Sequence, residues 1–453
     1  MQRRDFLKLA SLCLAAAAAR AQTRPPVAAK RNRVLVLGAG MAGLAAARTL
    51  TDRGYGVIVL EARQRTGGRI DTSNHWPDLP LDLGASWIHG IDQNPLTELA
   101  AKAGARTHAT YYSSATDYFS DGSRISQATD RDIESWTDAI FSALSRAQDA
   151  DHDDTLRRVV EREVRWSKLG DYDKSLINYV INGVFEQEYA GAAERLSAWY
   201  GDSGKEFGGD DVLFPDGYLV LTDYLARGLD IRLGQVVERV ANDRSGVTVV
   251  TGQGSFRADH VVLTLPLGVL QGGAITFSPA LPPAKRAAIN KLGVGVLNKC
   301  YLRFPQVFWP DTDWISYLPE LARRGQWEEW INIHRFSGQP VLLGFNAAQF
   351  GNEIESWRDA DIVASAMATL RTLFGSSIPA PSDWQITRWA SDPFARGSYS
   401  FNQVGATPAM RDTLAASVGG RLHFAGEACH RDHFGTVHGA YLSGLRAASM
   451  IRG

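Results

Sequence analysis

A strand, glycine turn and helix near the start of the chain constrain its fold more than any other feature. Arg33-Val-Leu-Val-Leu37 is an apolar run of strand type that leads into Gly38-Ala-Gly40-Met41-Ala42-Gly43 and a helical stretch. A second apolar run, Val57-Ile-Val-Leu60, ends on Glu61, 18 residues beyond the last glycine. This is the spacing of a βαβ unit that holds a dinucleotide. Its glycines let the backbone approach a pyrophosphate at the helix N-terminus, where unpaired N–H groups and the helix dipole favour negative charge. Glu61 is placed to accept hydrogen bonds from a ribose.

The next residues separate the possible cofactors. Ala62-Arg63-Gln-Arg65-Thr-Gly67-Gly68-Arg69 sets cations and a paired-glycine turn close to the fingerprint. That extension favours FAD over NAD, and a second segment, His423-Phe-Ala-Gly426-Glu427, fits the same cofactor from the other end of the chain.

At 453 residues the chain exceeds what one core usually serves, so two domains are expected. The fold class expected is α/β, a Rossmann-like FAD-binding domain of glutathione-reductase type with an α+β substrate domain inserted in segments. Residues 33–91, 203–275 and 415–453 are assigned to the first, and 92–202 and 276–414 to the second. Residues 22–32, with Pro25-Pro26, read as a linker.

Residues 1–21 read as an export signal. Arg3-Arg4-Asp5-Phe6-Leu7-Lys8 matches the twin-arginine pattern, Leu9–Ala19 is a short apolar region, and Ala19-Arg20-Ala21 is a small-x-small cleavage site. Roughly 11 apolar residues are too few for a bilayer core that needs about 20, so no stable membrane anchor is expected. The reading implies the twin-arginine translocase as a partner during export and a periplasmic destination. The formal net charge is -1, and the first 21 residues hold four cations and one anion, which leaves the remainder at -4. No basic field for nucleic acid is present. Two cysteines, Cys300 and Cys429, remain beyond the signal and make no disulfide framework.

Together these motifs resemble those of flavin-dependent amine oxidases, nearest to the polyamine oxidases and the flavin class of histone lysine demethylases. The resemblance spans both expected domains, at residues 33–90, around 237, around 299, at 389–400 and at 423–446. It implies that FAD contacts come from Gly38, Gly40, Met41, Ala42, Gly43, Glu61, Ala62, Arg63, Gly68 and Arg69. It adds Gly84, Ala85, Ser86, Trp87, Val237, Trp389, Gly426, Glu427, Thr436 and Val437. Val237 falls where the family binds adenine through its backbone, Glu427 where it binds the cofactor's sugar or ribityl chain, and Thr436-Val437 where its backbone meets the isoalloxazine. Lys299, in Gly293-Val-Gly-Val-Leu-Asn-Lys299, falls on the lysine that holds a water near flavin N5. A lysine in an apolar strand is costly to bury without a partner, so the residue itself calls for a role.

His89, in Leu83-Gly-Ala-Ser-Trp87-Ile-His89, takes the place of a Glu or His of polyamine oxidases and is the second catalytic candidate. Tyr399 matches an aromatic that flanks the amine, with Thr436 on the opposite wall where some relatives carry an aromatic. Glu188 aligns with an acid that lines some polyamine tunnels, although Glu186 and Glu188, two apart, cannot both face one groove. Ser398-Tyr399-Ser400 stands where monoamine oxidases carry the cysteine bonded to FAD, so the cofactor is expected to be non-covalent. His423, Cys429, His430, His433 and His438 lie within 16 residues, but the flavin motif accounts for them and no metal is expected. Trp309, Trp314, Trp327 and Trp330 are expected in the core.

The activity implied is oxidation of an amine, a polyamine or acetylated polyamine, by hydride transfer to flavin, with O2 reduced to hydrogen peroxide. The alternatives are an L-amino-acid oxidase, which needs an arginine to clamp a carboxylate, an amine dehydrogenase with another acceptor, and a non-catalytic flavin-binding module.

Overall fold

A computed structural model describes residues 32–452; the export-signal reading lies outside them. A five-stranded parallel sheet organises one half of the molecule. Its order is Leu422–Phe424, His260–Leu263, Arg33–Leu37, Gly56–Leu60 and Asp230–Arg232, so three distant segments of chain meet in one sheet. The strand period of two divides Arg33–Leu37 between two cores. Val34 and Val36 pack with helices Met41–Asp52 and Val437–Met450 on one face, while Leu35 and Leu37 pack with Val240, Val249 and Phe424 on the other. Buried on both faces, this sheet reads as continuous apolar runs in the sequence.

The second half is built on a six-stranded, mostly antiparallel sheet. Its order is Asp383–Ile386, Leu297–Arg303, Val341–Ala347, Glu329–Asn332, Trp314–Leu318 and Ala115–Phe119. Helix Asp359–Phe374 covers one face through Ile362, Ala366 and Leu370. A separate helical core, with Ile140, Val160, Ile177 and Phe185, lies on the side of helices Gln127–Ala147 and Asp171–Ile181.

Packing departs from the expected boundaries in three places. Helix Pro95–Ala103 buries Leu96 and Leu99 in the parallel-sheet core, and helices Pro283–Lys291 and Pro408–Ala415 place Ile289 and Leu414 there too. Strand Asp230–Arg232 stops short of Val237, where a new strand, Val237–Asp243, begins with a bulge before Arg239. Gly234, at φ +69, makes the turn between the two.

Among the described residues no helix is long and apolar enough to cross a membrane, and no group of His, Cys, Asp and Glu is arranged to hold a metal ion. His423 instead takes a structural part. Its Nε2 lies 3.3 Å from Nδ1 of His260 and its Nδ1 lies 2.8 Å from Ser417 Oγ, which ties two strand ends together. Burial, with His260 beside it, lowers its pKa to about 4, and burial and Arg421 lower that of His260. An unfolded histidine titrates near 6.5, so between these values the unfolded chain binds the extra proton and stability falls with falling pH. Thermal unfolding midpoints should therefore drop as pH decreases from about 6.5 toward 4, and His423→Gln should reduce that slope.

Candidate active site

One cavity of about 810 Å³ runs between the two halves and is lined by residues from both. At its parallel-sheet end, Gly40 caps helix Met41–Asp52 without any side-chain cap, which leaves the first N–H groups to the cavity. A Cβ built on Gly40 would find no protein atom nearer than 3.6 Å, so the glycine keeps that space clear for a ligand. Gly43 differs: its Cβ would sit 2.0 Å from the Gly38 carbonyl, and it does not line the cavity. Gly43, expected as a cofactor contact, instead lets the helix pack against the strand end.

Glu61 is 5% exposed and its oxygens accept from Ala39 N at 2.7 Å and Arg63 N at 2.8 Å, which orients the carboxylate at the cavity edge. The Arg63 guanidinium is taken up by a bidentate pair with Asp392, at 2.8 and 2.7 Å, so this residue lines the cavity without a free charge. Arg69 donates from Nη1 to Ser398 O and to Glu427 Oε1. Gly38, Met41, Ala42, Ala62, Gly68, Gly84, Ala85, Ser86, Trp87, Val237, Trp389, Gly426, Thr436 and Val437 also line the cavity. The elongated, glycine-rich end with its helix N-terminus and inward carboxylates fits the phosphates and hydroxyls of FAD.

Toward the six-stranded sheet the same cavity continues as a second chamber, lined by His89, Tyr112, Glu188, Trp314, Glu329 and Tyr399. Lys299 lines the cavity from the strand Leu297–Arg303 and is 4% exposed. Its Nζ donates to Asp82 O and Gly84 O, both at 2.7 Å, and to Ser86 Oγ at 2.5 Å. These three oxygens use every hydrogen of an ammonium. Burial lowers the pKa of Lys299 and Asp82 pulls it back, while burial raises that of Asp82. A water held by Lys299 would have to replace one of the three oxygens.

His89 faces the second chamber, which is why its side chain is 48% accessible although protein surrounds the ring. Its Nδ1 lies 3.0 Å from Asp211 Oδ2, and Nε2 has no partner among the described residues. Burial alone would lower its pKa, but the Asp211 bond and the fields of Glu188, Asp211 and Glu206 carry it above the ordinary value. The ring is thus a strengthened base held in one tautomer.

Tyr399 is fixed across the chamber by a 2.7 Å bond from its hydroxyl to Gln187 O. Gln187 ends a π-helical turn, Asn182–Gln187, a feature often found at functional sites. The wide turn directs Glu186 inward, to Asn182 Nδ2 and Ala193 N, and leaves Glu188 facing the chamber. The Thr436 hydroxyl caps helix Val437–Met450 by accepting from Gly439 N, so Thr436 lines the wall but its oxygen is engaged. Trp309, Trp314, Trp327 and Trp330 are all buried in hydrophobic cores, as expected, and Trp314 in addition forms part of the cavity wall. It stacks between Tyr112, at 4.8 Å, and Trp87, at 6.0 Å, and faces the chamber.

Glu329 was not signalled by any motif. It also faces the chamber, with no hydrogen bond or ion pair to its side chain among the described residues, and burial together with Glu188 raises its pKa to about 8. Its one legible signal is a charge next to the apolar pair Trp330-Ile331 in strand Glu329–Asn332.

Both cysteines among the described residues are buried thiols. Cys300 is turned into the sheet core, and burial pushes the Cys429 thiol up to about 11 despite Arg446 and Lys285 nearby. Thiolate is the reactive form, so neither is poised to bond a flavin. Acid precipitation should therefore leave the yellow colour in the supernatant as free FAD; colour in the pellet would show a covalent link.

The family described as flavin containing amine oxidoreductase matches residues 41–452. Polyamine oxidase 4 of Oryza sativa subsp. japonica is 34% identical over 445 residues, covering 92% of this chain and 88% of the relative. Lysine-specific histone demethylase 1 homolog 2 of Arabidopsis thaliana is 35% identical across 94% of this chain but 59% of its own length. A putrescine oxidase structure with bound putrescine superposes with a TM-score of 0.77 at 19% identity, covering 92% of this chain and 98% of that one, which shows a shared fold. Matched over these lengths, the chain belongs to the flavin-containing amine oxidoreductase family and is an enzyme whose cofactor is FAD.

Proposed function

We propose that the enzyme oxidises a diamine or polyamine, and the observation that carries this reading is the pair of carboxyl groups, Glu188 and Glu329, facing the chamber beyond Tyr399. Lys299 pairs with Phe345 across the sheet, and Trp330 pairs with Gly344, so Glu329 stands beside Phe345 in the same cross-strand row. Two strand spacings separate Lys299 from Glu329, roughly 10 Å. A cation at Glu329 is then a nitrogen remote from the bond being oxidised. The stacked rings of Tyr112, Trp314 and Trp87 offer an apolar wall and π faces to the methylene chain and its charge.

An amino-acid substrate fits less well. Arg63 is spent on Asp392, and Arg69 is bonded to Glu427 and Ser398 at the cofactor end. The ionisable carboxyls near Tyr399, Glu188 and Glu329, offer a substrate carboxylate no cationic partner.

Bound FAD supplies the hydride acceptor and passes the electrons on, to O2 in this reading. The chain's part is to bring the amine carbon to it and to favour the neutral amine. Deprotonating an alkylamine of pKa near 10.4 costs roughly 4 to 5 kcal/mol at pH 7. With Nδ1 held by Asp211, the free Nε2 of His89 is placed to accept that proton. Tyr399, fixed through Gln187, orients the chain, and the Lys299 ammonium puts a positive charge beside the reacting end. The imine product is hydrolysed by water to an aldehyde and a smaller amine.

Anaerobic bleaching of the flavin should be fast with putrescine, spermidine or spermine and slow with tyramine and L-amino acids. In Glu329→Gln, kcat/KM for the unmodified polyamine should fall about tenfold to a hundredfold, the range for one hydrogen bond to a charged group. Equal bleaching by L-amino acids, or an unchanged kcat/KM in the variant, would overturn the reading. Oxygen uptake with peroxide formation separates an oxidase from a dehydrogenase. We also propose twin-arginine export to the periplasm, from Arg3-Arg4 and the cleavage site at Ala21; the Arg3→Lys/Arg4→Lys protein should remain in the cytoplasm, and normal export would refute it.

A further inference from the structure

Arg411 belongs to helix Pro408–Ala415, which carries no recognisable motif, and it is among the largest fully buried side chains. An isolated guanidinium in such a place costs several kcal/mol. Burial draws its pKa down to about 10, opposed by Glu427 and Cys429, so it is still a cation at neutral pH. Nε donates to Asn402 Oδ1 at 3.0 Å, and Nη1 to Ser400 Oγ at 2.8 Å and to Ala428 O at 3.4 Å. The guanidinium carbon lies 3.9 Å from the centre of the Phe434 ring, and Nη2 has no partner among the described residues. It makes no direct ion pair among those residues, so its charge reaches a carboxylate through Ser400.

The direction of that link is determined by chemistry. Arginine only donates, so Ser400 Oγ must accept from Nη1. The single serine hydrogen is then given to Glu427 Oε2, at 2.7 Å. Each bond in such a chain polarises the next. Glu427 also receives Gly435 N on Oε2 at 2.8 Å and Arg69 Nη1 on Oε1 at 3.0 Å. Burial would raise the pKa of Glu427, but Arg69, Ser400, Arg411 and Gly435 hold it below the ordinary range. It is therefore a carboxylate, an acceptor for hydroxyl hydrogens. The contacts to Ala428 O and Phe434 also brace both ends of the stretch from Glu427 to Gly435 that lines the cofactor end.

We propose that Arg411 is a positioning residue for FAD, acting through Ser400 to keep Glu427 ionised and turned toward the hydroxyls of the cofactor. The proposal rests on Glu427 being a cofactor ligand. Arg411 touches neither the substrate nor the reacting atoms in this account; its effect is on how firmly FAD is held.

The test follows flavin release from the holoenzyme after dilution, read as the gain of flavin fluorescence, in four variants and one double variant. Ser400→Ala and Arg411→Met should each release flavin about tenfold faster, and Arg411→Lys, which keeps a cation able to donate to Ser400, should restore most of the loss. The double variant Ser400→Ala/Arg411→Met should release no faster than the faster single variant, within about twofold, because both changes cut one relay. A multiplicative double variant would overturn the proposal by showing that Arg411 acts independently of Ser400, as would wild-type release in Ser400→Ala. Glu427→Gln separates the premise from the relay. Slow release in Glu427→Gln removes Glu427 as a cofactor ligand, whereas fast release there with normal release in Ser400→Ala removes the relay alone.

Discussion

The Lys299 ammonium joins the two halves of this active site. It rises from a strand of the six-stranded sheet and binds the Asp82 carbonyl, at the end of strand Leu81–Asp82, and the Gly84 carbonyl and Ser86 hydroxyl on the loop that lines the cavity. Taking a charge out of water is expensive, and only a full set of acceptors makes it tolerable. The expense is met because three oxygens converge and the Asp82 carboxyl lies nearby, itself bonded to Thr72 and to Tyr218 N. The same contacts align Trp87 and His89, three and five residues past Gly84, with the six-stranded sheet. Chemistry and architecture thus share one atom, Nζ.

The chamber's acidity follows from where the chain places its carboxyls relative to their partners. Glu186 is satisfied by Asn182 and Ala193, and Glu355 by Asn298 and Ser391, and both serve the fold. Glu188 and Glu329 face the cavity without such partners; burial makes both harder to ionise, and Glu188 adds to this for Glu329. Two carboxyl groups that resist ionisation together are relieved by a cation between them. On the proposed function, an arrangement unfavourable in isolation would favour a positively charged substrate.

Much of this was legible in the chain. The βαβ spacing located the cofactor end because glycine geometry and a strand–turn–helix register are local properties of Arg33 to Glu61. Helix Asp359–Phe374 and strand Leu297–Arg303 follow from their apolar periods. What local reading missed depends on contacts between distant residues. Gly43 turned out to pack against Gly38, Arg63 met Asp392, and Trp314, buried as expected, also faces the cavity between Tyr112 and Trp87. Glu329 and Arg411 carry no motif, since their roles come from burial beside Glu188 and Ser400, which no spacing along the chain reveals.

The parallel sheet draws its strands from residues 33–60, 230–263 and 422–424, with Leu422–Phe424 at one edge and Glu427 just beyond it. These pairings span nearly the whole chain, so they form late and slowly compared with local contacts. During synthesis, the glycine turn at Gly38 emerges long before the carboxylate that completes the same pocket. Cofactor loading is consequently an event of the finished polypeptide, and a chain truncated before residue 422 would have half a binding site however well its first domain pieces folded.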